Sequence, residues 1–397
     1  MSSDLKKYKL DEFAKLVKKQ YQPNADEELI YIGLEHIEQQ TLRINGYGNS
    51  KNVISQKYRF SSGDILFGKL RPYFRKVFRP KFDGVCSTDI WVIKAKKDFD
   101  QGFLFYFLAN QSFIDACNSG SSGTRMPRAD WDHLSETEWE LPPLPTQHRI
   151  ADILSALDDK IELNRQTNAT LEAIAQAIFK EWFVNFNFPG ATGEMIESDL
   201  GLIPKGWKVG RMGDFGDIVC GKTPSKTNEN FFGGNIPFIK IPDMHNSVFI
   251  VETSDTLTHE GALSQKNKFL PPNSIIVSCI ATIGLVSLTA ERSQTNQQIN
   301  AIIPKKDNLT HYIYFTARNI KEQLMELGSG GSATLNVNTS SFSNIKCVIP
   351  SEYVLSNFNF LVKPLFEGIL ANQQEMLTIA KCRDEFLPKL MNGEIDV

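Results

Sequence analysis

The chain repeats itself, and this constrains its fold more than any other feature. Gly120-Ser121-Ser122-Gly123-Thr124 aligns with Gly328-Ser329-Gly330-Gly331-Ser332 at an offset of 208 residues. The same offset carries Pro142 onto Pro350, Leu157 onto Leu365, Ile161 onto Ile369 and Asn164-Arg165-Gln166 onto Asn372-Gln373-Gln374. Upstream, Gly63-Asp64-Ile65-Leu66 meets Asn273-Ser274-Ile275-Ile276 at 210, and Thr88-Asp89-Ile90 meets Gln297-Gln298-Ile299 at 209. Two copies of one unit fill the 397 residues, so the fold must be built twice.

Each copy has a globular part and a helical part. The globular parts mix strand-like runs (Asp64 to Phe67, Ile90 to Ile93, Phe238 to Ile241, Ser274 to Ile280) with helix-like stretches at Gly102 to Ala116 and Tyr312 to Leu327. The helical parts carry a heptad seam. Ile150, Leu154, Leu157, Ile161, Asn164, Asn168, Leu171, Ala175, Ile178 and Trp182 step by four and three throughout. Adding 208 gives Phe358, Val362, Leu365, Ile369, Asn372, Met376, Ile379, Arg383, Phe386 and Leu390. Pro364 and Pro388 predict a start or kink and a frayed end in the second helix. Each helix could pack only on its own domain, but seams of this length are better satisfied by antiparallel pairing, with Asn164 and Asn372 fixing the register. About 36 residues at ~1.5 Å each make a rod on the order of 54 Å. The expected fold is mixed α/β, pseudo-twofold, with domains at 1–145 and 189–350 and two long antiparallel coiled-coil helices at 146–188 and 351–397.

Residues that would carry chemistry are missing. Gly216 to Thr223, GDIVCGKT, matches the phosphate-cradling P-loop pattern, in which Lys222 would meet phosphates and Thr223 magnesium. The turn-rich Pro224, Ser225 and TNENFFGGN that follow cannot open the helix that this loop requires. A basic loop carrying Lys222 and Lys226 is the plainer reading. His259-Glu260 lacks the second histidine of a zinc protease, Leu263 standing in its place. No Glu-x-Lys nuclease triplet and no Asp/Asn-Pro-Pro-aromatic methyltransferase motif occurs. The six cysteines form no CxxC pair, which signals neither zinc nor disulfides. Pro271, Pro272, Asn273 and Gly284 break the uncharged stretch from Phe269 to Ala290, which predicts a buried strand pair instead of a membrane span. A cytoplasmic binder with no catalysis, cofactor or metal of its own is the expectation.

A net charge of -3 argues at first against nucleic acid, but the charge is unevenly placed. From Gln39 to Lys81, ten bases face the single acid Asp64, a surplus of nine, while the remainder carries -12. Tyr47, Tyr58, Tyr73, Phe74 and Phe78 interleave with the bases, as on many nucleic-acid surfaces, though a solvated basic face would look the same. The Gly/Ser segments permit close approach to a ligand or are plain connectors. Candidate DNA contacts are Lys69, Arg71, Tyr73, Arg75, Lys76, Arg79, Arg125 and Arg128 in the first copy. Lys222, Thr223, Lys226, Lys240, Thr282 and Gln297 are the candidates in the second.

Several segments together resemble the specificity subunits of type I restriction-modification systems. They are YIGLEHIE (Tyr31 to Glu38), GDILFGKLRPYFRKV (Gly63 to Val77), STDIWVI (Ser87 to Ile93), LPPLPTQHRIADILSALDDKIELNRQ (Leu141 to Gln166), GLIPKGWKV (Gly201 to Val209), CGKTPSK (Cys220 to Lys226) and RDEFLPKLMNGEI (Arg383 to Ile395). The resemblance spans nearly the whole chain. It implies two target-recognition domains, each reading half of a bipartite double-stranded DNA site, and two helices that space them and dock two methyltransferase (modification) subunits. Restriction subunits would join through the methyltransferase. S-adenosylmethionine, ATP and magnesium would act on those partners. A nucleotide-dependent P-loop enzyme and a purely structural scaffold are the competing readings.

Overall fold

The computed structural model describes residues 5–24, 26–119, 126–329 and 335–397. The chain forms two compact units, one of residues 1–160 with 379–397 and one of residues 161–378. These boundaries run through the long helices instead of falling at their ends, because each globular part packs on one segment of both helices.

Unit 1 is built on an antiparallel sheet in the order Ala14–Leu16, Ile90–Ala95, Ile65–Gly68, Val77–Phe78. A second sheet contains the parallel pair Ile30–Ile32 and Gly84–Cys86, and a ribbon joins Lys6–Lys9 to Glu138–Leu141. Unit 2 repeats this plan. Its main sheet runs Gly216–Cys220, Ile299–Pro304, Ile275–Ser278, Val286–Thr289, Phe249–Ile250. A second sheet holds the parallel pair Phe232–Ile239 with Gln294–Thr295, the main sheet also pairs Phe249–Ile250 parallel with Val286–Thr289, and the ribbon is Lys208–Arg211 with Lys346–Ile349. The register is the same in both: Ile90 faces Gly68 and Ile93 faces Ile65, as Ile299 faces Ser278 and Ile302 faces Ile275. Ile65–Gly68 and Ile275–Ser278 are buried along their whole length, which is why they read as continuous apolar runs and not as alternating strands. The helix-like stretches each break once, giving Gln101–Ala109 with Gln111–Ser119 and Thr310–Asn319 with Lys321–Gly328.

The central helix spans Leu144–Phe179 and ends in a wide π-type turn, Lys180–Val184, so its regular part is shorter than the expected 146–188. Pro145 suits its first turn, where no backbone N–H is needed. Gln147 fastens this end: its buried side chain donates to Pro142 O (2.9 Å) and accepts from Asp100 N (3.0 Å). All ten seam positions of this helix are buried or half-buried.

The C-terminal helix is continuous over Glu352–Met391, through both prolines. Sequence predicted an interruption at Pro364. Instead, the burial of Val362, Phe366 and Ile369, at roughly 2 kcal/mol each, offsets one lost hydrogen bond, and Phe360, four residues before Pro364, is exposed to water. The predicted seam is kept except at its end, where Phe386 is exposed and Leu387 is buried with Leu390 and Met391 in the core of unit 1.

In unit 1 the start of the central helix (Ile150, Leu154) shares a core with the end of the C-terminal helix. In unit 2 the later part of the central helix (Ala175, Phe179, Trp182) shares a core with Phe358, Val362, Phe366 and Ile369. Within each unit the paired helix segments therefore run antiparallel. The predicted Asn164 and Asn372 register layer differs in its partners: Asn372 donates to Asn168 Oδ1 (2.8 Å), while Asn164 donates to Glu375 (2.6 Å). The four side chains form a staggered polar layer, since antiparallel helices do not bring equivalent residues level.

A buried charge network holds the helix end in unit 1. The Arg383 side chain is 3% exposed and meets Asp158 at 2.6 Å and Asp384 at 3.0 Å, while Tyr106 donates to Asp158 at 2.7 Å. Burial works against the Arg383 charge, but the two carboxylates outweigh it and hold its pKa above the ordinary value. In unit 2, Tyr314 donates to Glu172 (2.8 Å), which also pairs with Arg318. Asp158→Ala leaves a buried guanidinium with reduced compensation, so it should lower the stability of the full chain by roughly 3 kcal/mol. Urea unfolding followed by circular dichroism checks this, and an unchanged midpoint would show that the pair contributes nothing net.

Candidate nucleic-acid interface

Three segments distant in sequence cross at one place in unit 1. After strand Ile65–Gly68 the chain enters a corner in which the Lys69 N–H donates to Asp89 O (3.0 Å) and Lys69 O accepts from Ala129 N (2.9 Å). Arg71 N–H donates to Pro127 O (2.8 Å), and Leu70 forms a β-bridge with Arg128. These links gather Lys69, Arg71, Tyr73 and Arg128. Beside them lies a groove of about 320 Å³ lined by Lys18, Lys69, Arg128 and Trp131, with Asp130 and Asp132 at the same rim. Tyr73 is exposed, and Arg128 pairs with Asp89 at 3.3 Å while remaining 53% exposed. Lys69, Arg71 and Arg79 have no ion pair among the described residues, and Arg71 Nε is buried without a partner. Arg71 (φ 52°) and Arg75 (φ 47°) are left-handed, which costs about 1 kcal/mol each for a residue with a Cβ.

Unit 2 makes the same crossing. Cys279 N–H donates to Gln298 O (2.8 Å), Val337 N–H to Cys279 O (2.9 Å) and Ala281 N–H to Leu335 O (3.1 Å), and Ile280 bridges Asn336. Ala281 is left-handed like Arg71 (φ 63°). The backbone is repeated but the side chains are not: Lys69, Arg71 and Arg128 correspond to Cys279, Ala281 and Asn336. Burial pushes the Cys279 thiol up to about 11, which keeps it neutral. Polar groups come from a neighbouring segment instead. Gly221 N–H donates to Ile299 O (3.0 Å) and Lys222 N–H to Thr295 O (2.9 Å), leaving the Lys222 side chain exposed. Thr223 Oγ1 donates to Gln297 Oε1 at 2.7 Å, so these two predicted residues do meet. Thr282 and Lys226 are exposed.

The GKT motif has a structural explanation that replaces the nucleotide one. Gly216–Cys220 is a strand paired with Ile299–Pro304, where a P-loop would need a phosphate-wrapping loop. A Cβ on Gly221 would lie 2.1 Å from Asn296 O and 2.4 Å from Thr295 O, so glycine here permits the close approach to the end of strand Gln294–Thr295.

Other candidates are engaged within the chain. Arg75 does not project to solvent: its side chain is 15% exposed, donates to Gln40 O (2.7 Å) and faces Asp384 (3.5 Å). Half-buried Lys76 donates to Leu34 O. Burial lowers the pKa of both. Lys240 is paired with Asp255. Arg125 and the central Gly/Ser residues lie outside the described residues. The surplus of nine charges is also smaller in effect than in sequence. Lys51, Arg59 and Lys81 pair with Glu28 (3.0 Å), Glu27 (2.6 Å) and Asp159 (3.2 Å), all from outside the basic segment. Lys18 and Trp131 in the groove were missed, since a crossing made by backbone hydrogen bonds leaves no local pattern. Aligning the Pro127 to Ala129 and Leu335 to Val337 positions across the repeat would have pointed to it.

The type I restriction modification DNA specificity domain matches residues 2–173 and again 204–354. The HindI specificity subunit of Haemophilus influenzae is 36% identical over 459 residues, covering 99% of this chain and 100% of that one. The MjaIX specificity subunit of Methanocaldococcus jannaschii is 30% identical, covering 74% of this chain and 69% of that one. The crystal structure of the type I restriction-modification S subunit from M. genitalium superposes with a TM-score of 0.58 at 14% identity, covering 100% of this chain and 97% of that one, which supports the fold. With two copies of the domain built as two matching units, the chain belongs to the specificity subunits of type I restriction-modification enzymes, the DNA-recognition chains and not the catalytic ones.

Proposed function

We propose that each unit reads one half of a bipartite double-stranded DNA site, through the globular parts within 1–145 and 189–350. The observation that carries this reading is the three-segment crossing, built twice in one chain with different side chains. A repeated frame with unlike chemistry suits an asymmetric site: the backbone sets where each segment meets the duplex, and the side chains set which base edges are read. In unit 1, Lys69, Arg71 and Arg128 supply charge and Tyr73 an exposed ring. In unit 2, Lys222 supplies charge, and Thr223, Gln297 and Thr282 supply groups suited to base edges.

The two helices act in this reading as a coiled-coil spacer between the half-sites and as docking surfaces for two methyltransferase subunits, through which restriction subunits join. Methyl transfer from S-adenosylmethionine and ATP- and magnesium-dependent steps belong to those partners, and the assembly works on DNA in the cytoplasm. No helix among the described residues is long and apolar enough to cross a membrane. The nucleotide-enzyme alternative loses its support with the strand at Gly216–Cys220.

Phosphate contacts of this kind are salt-dependent. A complex with the modification subunits that makes six or more such contacts should lose about 10³ in DNA affinity between about 50 and about 200 mM salt. Equal affinity at both concentrations would contradict the electrostatic part of the reading. Lys69→Ala combined with Arg128→Ala should reduce the slope of log affinity against log salt by about 2, because each neutralised phosphate contributes about 1. Fluorescence anisotropy on a salt series measures it, and an unchanged slope would remove both residues from the interface.

A further inference from the structure

The two units turn the corner after the equivalent strand in different ways. In unit 2 it runs from Ala281 to Gly284, left-handed at both ends (φ 63° and 86°). In unit 1 it runs from Arg71 to Arg75, one residue longer and again left-handed at both ends (φ 52° and 47°). The corners close in the same way: Gly68 N–H donates to Lys76 O (2.9 Å), as Ser278 N–H donates to Leu285 O (3.0 Å). Arg75 therefore stands where the second copy has Gly284. Glycine takes this conformation freely and arginine does not. A strained residue persists when its surroundings over-determine it, and such residues cluster at functional loops.

The Arg75 side chain supplies that determination. It turns inward, 15% exposed, to donate to Gln40 O at 2.7 Å and to face Asp384 on the C-terminal helix at 3.5 Å. Asp384 is itself held by Arg383 at 3.0 Å, and Arg383 by Asp158 at 2.6 Å. The corner carrying Arg71 and Tyr73 is thus tied to a network anchored in both long helices, and Gly284 offers no such tie.

We infer that Arg75 is a positioning residue, one that presets the Arg71 to Arg75 corner against the C-terminal helix so that unit 1 presents its DNA contacts from a fixed loop. This rests on the reading that unit 1 contacts one half-site. Arg75→Gly is the informative variant, because it installs the residue that the second copy uses and relieves the left-handed backbone. Asp384→Asn removes the charge at the other end of the tie.

The test uses the full chain in complex with its modification subunits. The probes are three fluorescent duplexes: one with the site mapped from host methylation, and two with one or the other half-site scrambled. Arg75→Gly should lower discrimination at the unit 1 half-site by about tenfold, the equivalent of one base-pair readout, and leave discrimination at the other half-site unchanged. Asp384→Asn should move the same ratio in the same direction. Wild-type discrimination in Arg75→Gly, or an equal loss at both half-sites, would overturn the inference. A wild-type complex indifferent to scrambling of either half-site would instead overturn the half-site reading on which the inference rests.

Discussion

Each long helix has a continuous apolar seam that must be buried, and the rest of the molecule is arranged around this requirement. The seam is too long for one globular part to cover, so each unit takes one segment of both helices. Ile150 and Leu154 are buried with Leu387 and Leu390 in one core, and Phe179 and Trp182 with Phe358 and Val362 in the other. Charged and polar groups lie between the paired segments, Arg383 between Asp158 and Asp384 in unit 1 and Asn164, Asn168, Asn372 and Glu375 in unit 2. Removing one partner of such a buried pair leaves an uncompensated charge, which is costly in the protein interior.

On this frame the duplication separates placement from chemistry. Three backbone hydrogen bonds define the crossing in each unit, with donor and acceptor in equivalent positions. Side chains at those positions diverge from Lys69, Arg71 and Arg128 to Cys279, Ala281 and Asn336. Hydrogen bonds between backbone groups do not depend on side-chain identity, so the crossing survives substitution. This is the property a recognition module needs if its readout is to change while its fold stays fixed.

Periodicity and duplication made much of this legible in the sequence. The seam of the central helix is buried or half-buried at every predicted position because a four-three step is a direct consequence of helix geometry. The predicted runs Asp64 to Phe67 and Ser274 to Ile280 located the strands Ile65–Gly68 and Ile275–Ser278, the second being three residues shorter than its run. What escaped depends on contacts between distant segments. Pro364 should have interrupted a helix on local grounds, but tertiary packing overrode them. The basic segment counted ten charges without their partners, since Glu27, Glu28, Asp159 and Asp384 come from elsewhere in the chain. Arg75 and Lys76 looked like surface cations and are tied inward. Gly221 matched a nucleotide motif because close strand contact and phosphate binding both select glycine.

Host methylome sequencing, with the native chain and with residues 1–145 exchanged for the equivalent segment of another specificity subunit, tests the central claim most directly. The expected result is a bipartite methylated site in which the exchange alters one half and leaves the other half unchanged. An unaltered site after the exchange, or methylation with no bipartite sequence in common, would contradict it.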